Sequence, residues 1–98
     1  MYKALILPLA KEDIRDAARW YNHQKPGLGK KFIQEARSIV RYIRQNPHAC
    51  NIRYNQVRTA LLKVFPFMLH YTIDEDSKTV IISAVLHTSR DPKEWKKR

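Results

Sequence analysis

Apolar and polar residues recur with two different periods along this chain, and the change of period divides it roughly in half. The opening YKALILP, residues 2–8, is a short apolar run closed by Pro8 and predicts a strand. From 9 to 24 the period lengthens. Leu9 or Ala10, Ile14, Ala17 or Ala18, and Tyr21 fall at helical spacing and predict a helix. KPGLGK, residues 25–30, interrupts it and holds both glycines of the chain, so unusual backbone angles are expected there. A second helix is predicted over 28–45, with Leu28, Phe32, Ala36, Ile39 and Ile43 on its apolar face, widened by Ile33 and Val40. Asn46-Pro47 ends it. Two amphipathic helices on a short loop make an antiparallel hairpin.

Beyond a polar loop at 48–56 the period of two takes over, with strands predicted at 57–64, 67–74 and 79–87. If Asp76 and Ser77 form a two-residue turn, Phe67, Leu69, Tyr71 and Ile73 face Leu86, Ala84, Ile82 and Val80. A slip of one residue would set Ser83 and Thr79 against the aromatics instead. The same logic pairs Val64 with Phe67 and Leu62 with Leu69. One face of the sheet is then almost wholly apolar and must lie under the helices. The other carries Lys63, Leu61, Thr59, Met68, His70, Thr72, Val85, Ser83 and His87, a mixed surface expected to be partly uncovered and available for work. The first strand fits an edge or an interior position equally well. The fold class is α+β, in the order β-α-α-β-β-β.

Length adds one bound. Ninety-eight residues make a single domain, 1–98, whose residues 91–98 form a basic tail with one tryptophan. No apolar run approaches the ~20 residues of a membrane span, and the N-terminus lacks a signal-peptide pattern. A soluble cytoplasmic protein without membrane partners is expected. The lone Cys50 excludes an internal disulfide and a cysteine-rich zinc site, and no metal or cofactor is called for.

Charge changes the picture more. Nineteen Lys and Arg against nine Asp and Glu give a net charge of +10, which implies an anionic partner such as nucleic acid, the ribosome or an acidic protein. Lys30, Gln34, Arg37, Arg41 and Arg44 recur at intervals of four and three in one line beside the apolar face of the second helix, itself ~27 Å long. It suits a run of phosphates or an acidic protein segment, while a merely solvated face gives the same pattern.

The segment AVLHTSRDPKEW, 84–95, supplies the candidate chemistry. The most hydrophobic strand ends in His87 and Arg90, then Asp91-Pro92 and Trp95. Metal-free RNA cleavage needs a base, an acid and cations for the developing phosphorane charge, and histidine titrates near neutrality. In the register above, His70 and His87 share a face but lie ~13 Å apart, too far for a two-histidine site. His87 with Arg90, Lys63 and Tyr54 is the better cluster. The plain alternative is a polar strand end, with Trp95 folded back as a lid on the core.

The wording ARWYNHQKPGLGKKFIQEA, then NP, VRTALLKVFPFMLHY and AVLHTSRDPKEW resembles the ParE/RelE superfamily of bacterial type II toxins, often called plasmid stabilisation proteins. The resemblance spans residues 2–95 and implies the same β-α-α-β-β-β fold. It implies a cognate antitoxin, and either DNA gyrase or ribosome-bound mRNA as the target. ParE-like members inhibit gyrase; RelE-like members are ribosome-dependent mRNA endonucleases, or mRNA interferases. The WY, PGLG and FP segments look more like the ParE branch. Thr88 stands where some RelE-like nucleases carry a tyrosine, and their dense basic set is reduced here to Arg58 and Lys63. The resemblance thus implies a ParE-like toxin, with an endonuclease and an inactive antitoxin-binding member as alternatives. A homodimer or a toxin–antitoxin heterotetramer is compatible with it. The contact residues expected for target or antitoxin are Lys30, Arg37, Arg41, Arg44, Arg58, Lys63, His70, Arg90 and Trp95.

Overall fold

The computed structural model describes residues 1–95; the last part of the basic tail lies outside the described residues. Strand β1 (Lys3–Ile6) leads into helices α1 (Pro8–Gln24) and α2 (Leu28–Gln45). Strands β2 (Ile52–Tyr54), β3 (Val57–Leu61), β4 (Phe67–Asp74) and β5 (Thr79–His87) follow, and then a four-residue helix α3 (Pro92–Trp95). The five strands form one sheet in the order β1-β5-β4-β3-β2. β1 takes an edge and runs parallel to β5, with Lys3 beside Thr79 and Ile6 beside Ile82. The sequence left its position open.

The hairpin forms as the apolar spacing predicts. Pro8 begins α1 rather than ending the strand, because a proline in the first helical turn gives up an N–H that has no helical partner anyway. Gly27 takes φ 91°, and its N–H donates to the Asn22 side chain at 2.9 Å, which sets the turn into α2. Gly29 serves a different need. It lies against the backbone carbonyl of Ala18, so α1 and α2 touch where a side chain would not fit.

Phe32, Ile43, Leu69, Tyr71, Val80, Ile82 and Val85 make the main core between the helices and the sheet. Tyr21, Phe32, Phe65 and Phe67 meet at one end of it, with ring centroids 4.7–6.1 Å apart. Tyr71 is fully buried, and its hydroxyl donates to the Pro47 carbonyl at 2.7 Å. Burial pushes the Tyr71 pKa well above its usual 10.0, and the adjacent Cys50 thiol adds to the shift.

The predicted strand pairing is correct over half its length. Tyr71 opposes Ile82 and Ile73 opposes Val80, but the register shifts between His70 and Tyr71, so His70 faces Ala84 and Phe67 faces His87. Ser83 is the extra residue of this bulge. The shift reverses every side chain after it: Val85 turns into the helix-side core, while Ala84 and Leu86 turn to the opposite face. The β4–β5 connection is also longer than the two residues expected, with Asp74 paired to Thr79 and Lys78 at φ 53°.

β3 ends at Leu61, short of the predicted 64. Ala60, not Leu62, opposes Leu69, and residues 62–66 form a loop. The Glu35 carboxylate accepts the Val64 and Phe65 N–H groups from that loop, so these two amides bond to α2 instead of to a ladder. Within the segment read as a polar loop, Ile52–Tyr54 form β2, which pairs only with the start of β3.

Candidate functional site

The face expected to be uncovered has its own small core. Trp95, brought back by α3, is only 7% exposed and packs with Met68, Ala84, Leu86 and Tyr54. His70 lies beneath it with no exposure, its ring centroid 5.1 Å from that of Trp95. The Tyr54 hydroxyl is 3.0 Å from Nδ1 of His70, and the Arg53 guanidinium sits 5.5 Å above the Trp95 ring. Asp91 caps α3, accepting the Lys93 N–H at its side chain and the Glu94 N–H at its carbonyl. His70 is therefore a core residue and no surface contact, because alternation assigned its side of the sheet without telling what covers that side. Trp95 and Tyr54 are likewise packing partners.

The residues offered for RNA cleavage do not converge. The bulge puts His87 on the helix side, where its ring meets Phe67 at 5.3 Å, opposite to the face of His70 and Tyr54. Nδ1 of His87 accepts the Ser89 N–H at 3.0 Å and lies 2.7 Å from the Ser89 hydroxyl. The neutral ring thus carries its proton on Nε2, and its lone pair is already engaged. Arg90 is exposed and follows in the turn, its N–H donating to the His87 carbonyl. Lys63 is not on a strand. It borders a groove of about 760 Å³ between α2 and β3, with Gln34, Ser38, Tyr42 and Arg53. Among the described residues, no group of three or more His, Cys, Asp or Glu side chains is placed to hold a metal.

Of the other basic candidates, Arg58 and Arg44 have structural tasks. Arg58 donates to the Cys50 carbonyl at 2.6 Å, and Arg44 donates through Nε to the Tyr2 carbonyl at 2.8 Å. Arg37 and Arg41 are exposed on α2, and Lys30 is exposed in its first turn.

Arg37, Arg41 and Arg44 border a valley of about 430 Å³ between α1 and α2. Its floor is aliphatic, from Ile6, Ile14, Ile33, Ala36 and Val40, and Lys11 and Arg15 of α1 complete its rim. No Asp or Glu lines it. Lys11 and Arg15 were missed from sequence. Their spacing of four puts them on one side of α1, but only the crossing of the helices sets that side against the α2 stripe. An aliphatic trough with a rim of five cations suits a polypeptide that carries aliphatic side chains between carboxylates.

A two-helix cap thus lies on a sheet whose first strand runs parallel to its last, with a basic, apolar-floored valley between the helices. The family model described as "ParE toxin of type II toxin-antitoxin system, parDE" matches residues 5–92, and the chain belongs to this family. Solved structures share the fold. The chromosomal ParDE system of P. aeruginosa matches with a TM-score of 0.77 at 21% identity, covering 89% of this chain and 96% of that one. The toxin–antitoxin complex RelBE of E. coli matches at 0.70 and 15% identity, covering 92% and 100%. The isolated E. coli RelE toxin matches at 0.69 and 14%, covering 99% and 95%. No curated protein sequence matches. Among the described residues no helix is long and apolar enough to cross a membrane.

Proposed function

We propose that this ParE-family toxin arrests growth by gripping a large protein target, DNA gyrase before others, and that a cognate antitoxin silences it. The carrying observation is the valley between α1 and α2, whose five cations face no carboxylate across an aliphatic floor. An acidic amphipathic segment of the antitoxin is the complementary ligand, since its apolar side chains fill the floor while its carboxylates meet the rim. The neighbours are themselves drawn from toxin–antitoxin systems, which supports a partner of this kind.

An endonuclease receives less support. His87 lies on the helix side of the sheet, Tyr54 packs in the core on the opposite face and Lys63 borders the α2–β3 groove, while Nδ1 of His87 is already engaged by Ser89. Nothing in this set brackets a phosphodiester with an acid and a base.

Expression with and without the product of the neighbouring gene tests the toxin and antitoxin together. Arrest of growth by the chain alone, relieved by that product, is the expected result. Purified protein is expected to inhibit gyrase supercoiling. Folded protein that leaves gyrase untouched overturns the choice of target. Cleavage of mRNA in a translating extract, lost on His87→Ala, overturns the non-enzymatic reading.

A further inference from the structure

We propose that the end of the molecule carrying Trp20 and Val64 is the surface that grips the target, and that it fits an acidic protein surface with an apolar pocket. The inference rests on the toxin reading and assigns it a site apart from the antitoxin valley, which neither residue lines.

Two large apolar side chains are exposed at this end: Trp20 at 58% and Val64 at 78%. Isolated exposed apolar residues are ordinary on any protein. These two flank in sequence a pair of rings that touch. The Trp20 ring stands edge-on to Tyr21 at 5.1 Å, and Tyr21 meets Phe65, the neighbour of Val64, at 4.7 Å. Both therefore stand at the aromatic end of the core.

The exposure of Val64 does not come from a slack loop. Leu62 and Phe65 on either side are buried, Leu62 N–H donates to the Phe67 carbonyl, and Thr88 N–H donates to the Pro66 carbonyl. Glu35 takes both the Val64 and Phe65 amides. A loop tied this firmly presents Val64 outward at little further ordering cost on binding. Glu35 is thus a positioning residue for the contact.

Charge selects the partner. Lys25, Lys30, Lys31, Lys63 and Arg90 are all exposed on the elements that meet here. The carboxylates nearby are fewer: Glu35 and Asp91 keep their charge while accepting backbone N–H groups, and Asp16 is offset by Arg19 at 3.5 Å, so positive charge remains in excess. The partner is therefore acidic. Nucleic acid is the weaker fit, because an outward valine offers nothing to phosphate or to a stacked base, whereas an apolar pocket on a protein takes it, and tryptophan is a frequent protein anchor.

The test compares Trp20→Ala and Val64→Asp with Leu9→Ala, which removes another exposed apolar side chain, at the start of α1. Each is expressed alone for growth arrest and beside the neighbouring gene's product for co-purification, with thermal unfolding as the check on fold. Trp20→Ala and Val64→Asp are each expected to weaken arrest about tenfold or more. They keep the unfolding temperature and the co-purifying partner, and Leu9→Ala retains full arrest. If Trp20→Ala unfolds, Val64→Asp decides. Full arrest by folded Val64→Asp overturns the proposal and leaves the toxin reading intact; no arrest by the unaltered chain overturns both. Single-stranded oligonucleotide that binds the unaltered chain but not Trp20→Ala replaces the acidic protein with nucleic acid and also overturns it.

Discussion

The backbone N–H of Val85 donates to Oδ2 of Asp13 at 3.0 Å. This bond completes the sheet where β1 leaves it. β1 covers β5 only as far as Ile82, and Leu7 gives the last N–H to the Ile82 carbonyl before Pro8 turns the chain into α1. One turn later the helix returns a carboxylate to the edge it has uncovered.

Asp13→Ala leaves the amide of the buried Val85 without that acceptor, and a loss of about 1–3 kcal/mol is expected. Asp13→Asn keeps an acceptor oxygen and loses less. Urea unfolding of the two variants beside the parent measures the difference.

Gly29→Ala is expected to destabilise the protein although alanine is the better helix former. Its methyl would run into the Ala18 carbonyl oxygen, which is backbone and cannot swing away, so the helices must part. Overpacking of this kind costs about 1–3 kcal/mol, against a propensity gain of about 1 kcal/mol. A rise in melting temperature would show that the hairpin is looser than this contact requires.

Tyr71 predicts an alkaline weakness. Its hydroxyl is held neutral in the fold by burial first and by the neighbouring Cys50 second, so its pKa is raised above the ordinary 10.0. The unfolded chain releases this proton near the ordinary value, and the folded chain does not. The stabilisation is therefore complete below pH 10 and declines as pH rises beyond it. Burial of Tyr21 acts in the same direction. Tyr71→Phe should lose about 1 kcal/mol near neutrality with its bond to Pro47, and should show a shallower fall of stability between pH 9 and 11. Denaturant titrations across that range measure both.

Trp95→Ala opens the second core. The indole covers His70 and packs with Tyr54, so about 3 kcal/mol of stability is expected to go with it. Hydrogen exchange should rise at the Met68 and Leu86 amides before it rises at Phe32. Equal effects at both places would mean that the two cores unfold together.

The hairpin was legible because its signals are local: helical spacing of apolar residues, two glycines at the turn, and Asn46-Pro47 at the end. The bulge was not. Ser83, Ala84 and Val85 fit a straight strand in either register, and only the packing of Val85 below α1 and of Leu86 below Trp95 selects the kinked one. Once Ser83 is extra, His87 moves to the helix side and the proposed grouping with His70's face dissolves. The α2 stripe of Arg37, Arg41 and Arg44 could be read from spacing. Its meeting with Lys11 and Arg15 depends on a helix crossing, and the ties from Asp13 and Glu35 join residues distant in sequence. Such links leave no local trace.

The parallel pairing of β1 with β5 also governs when the protein becomes itself. Among the described strands, β1 comes first along the chain and its one sheet neighbour, β5, comes last. Until Ile82 has left the ribosome, Lys3–Ile6 have nothing to pair with, and loop closure over nearly the whole chain must precede the contact. Ile6 belongs to the valley floor, so that trough takes its finished shape only after β5 has emerged.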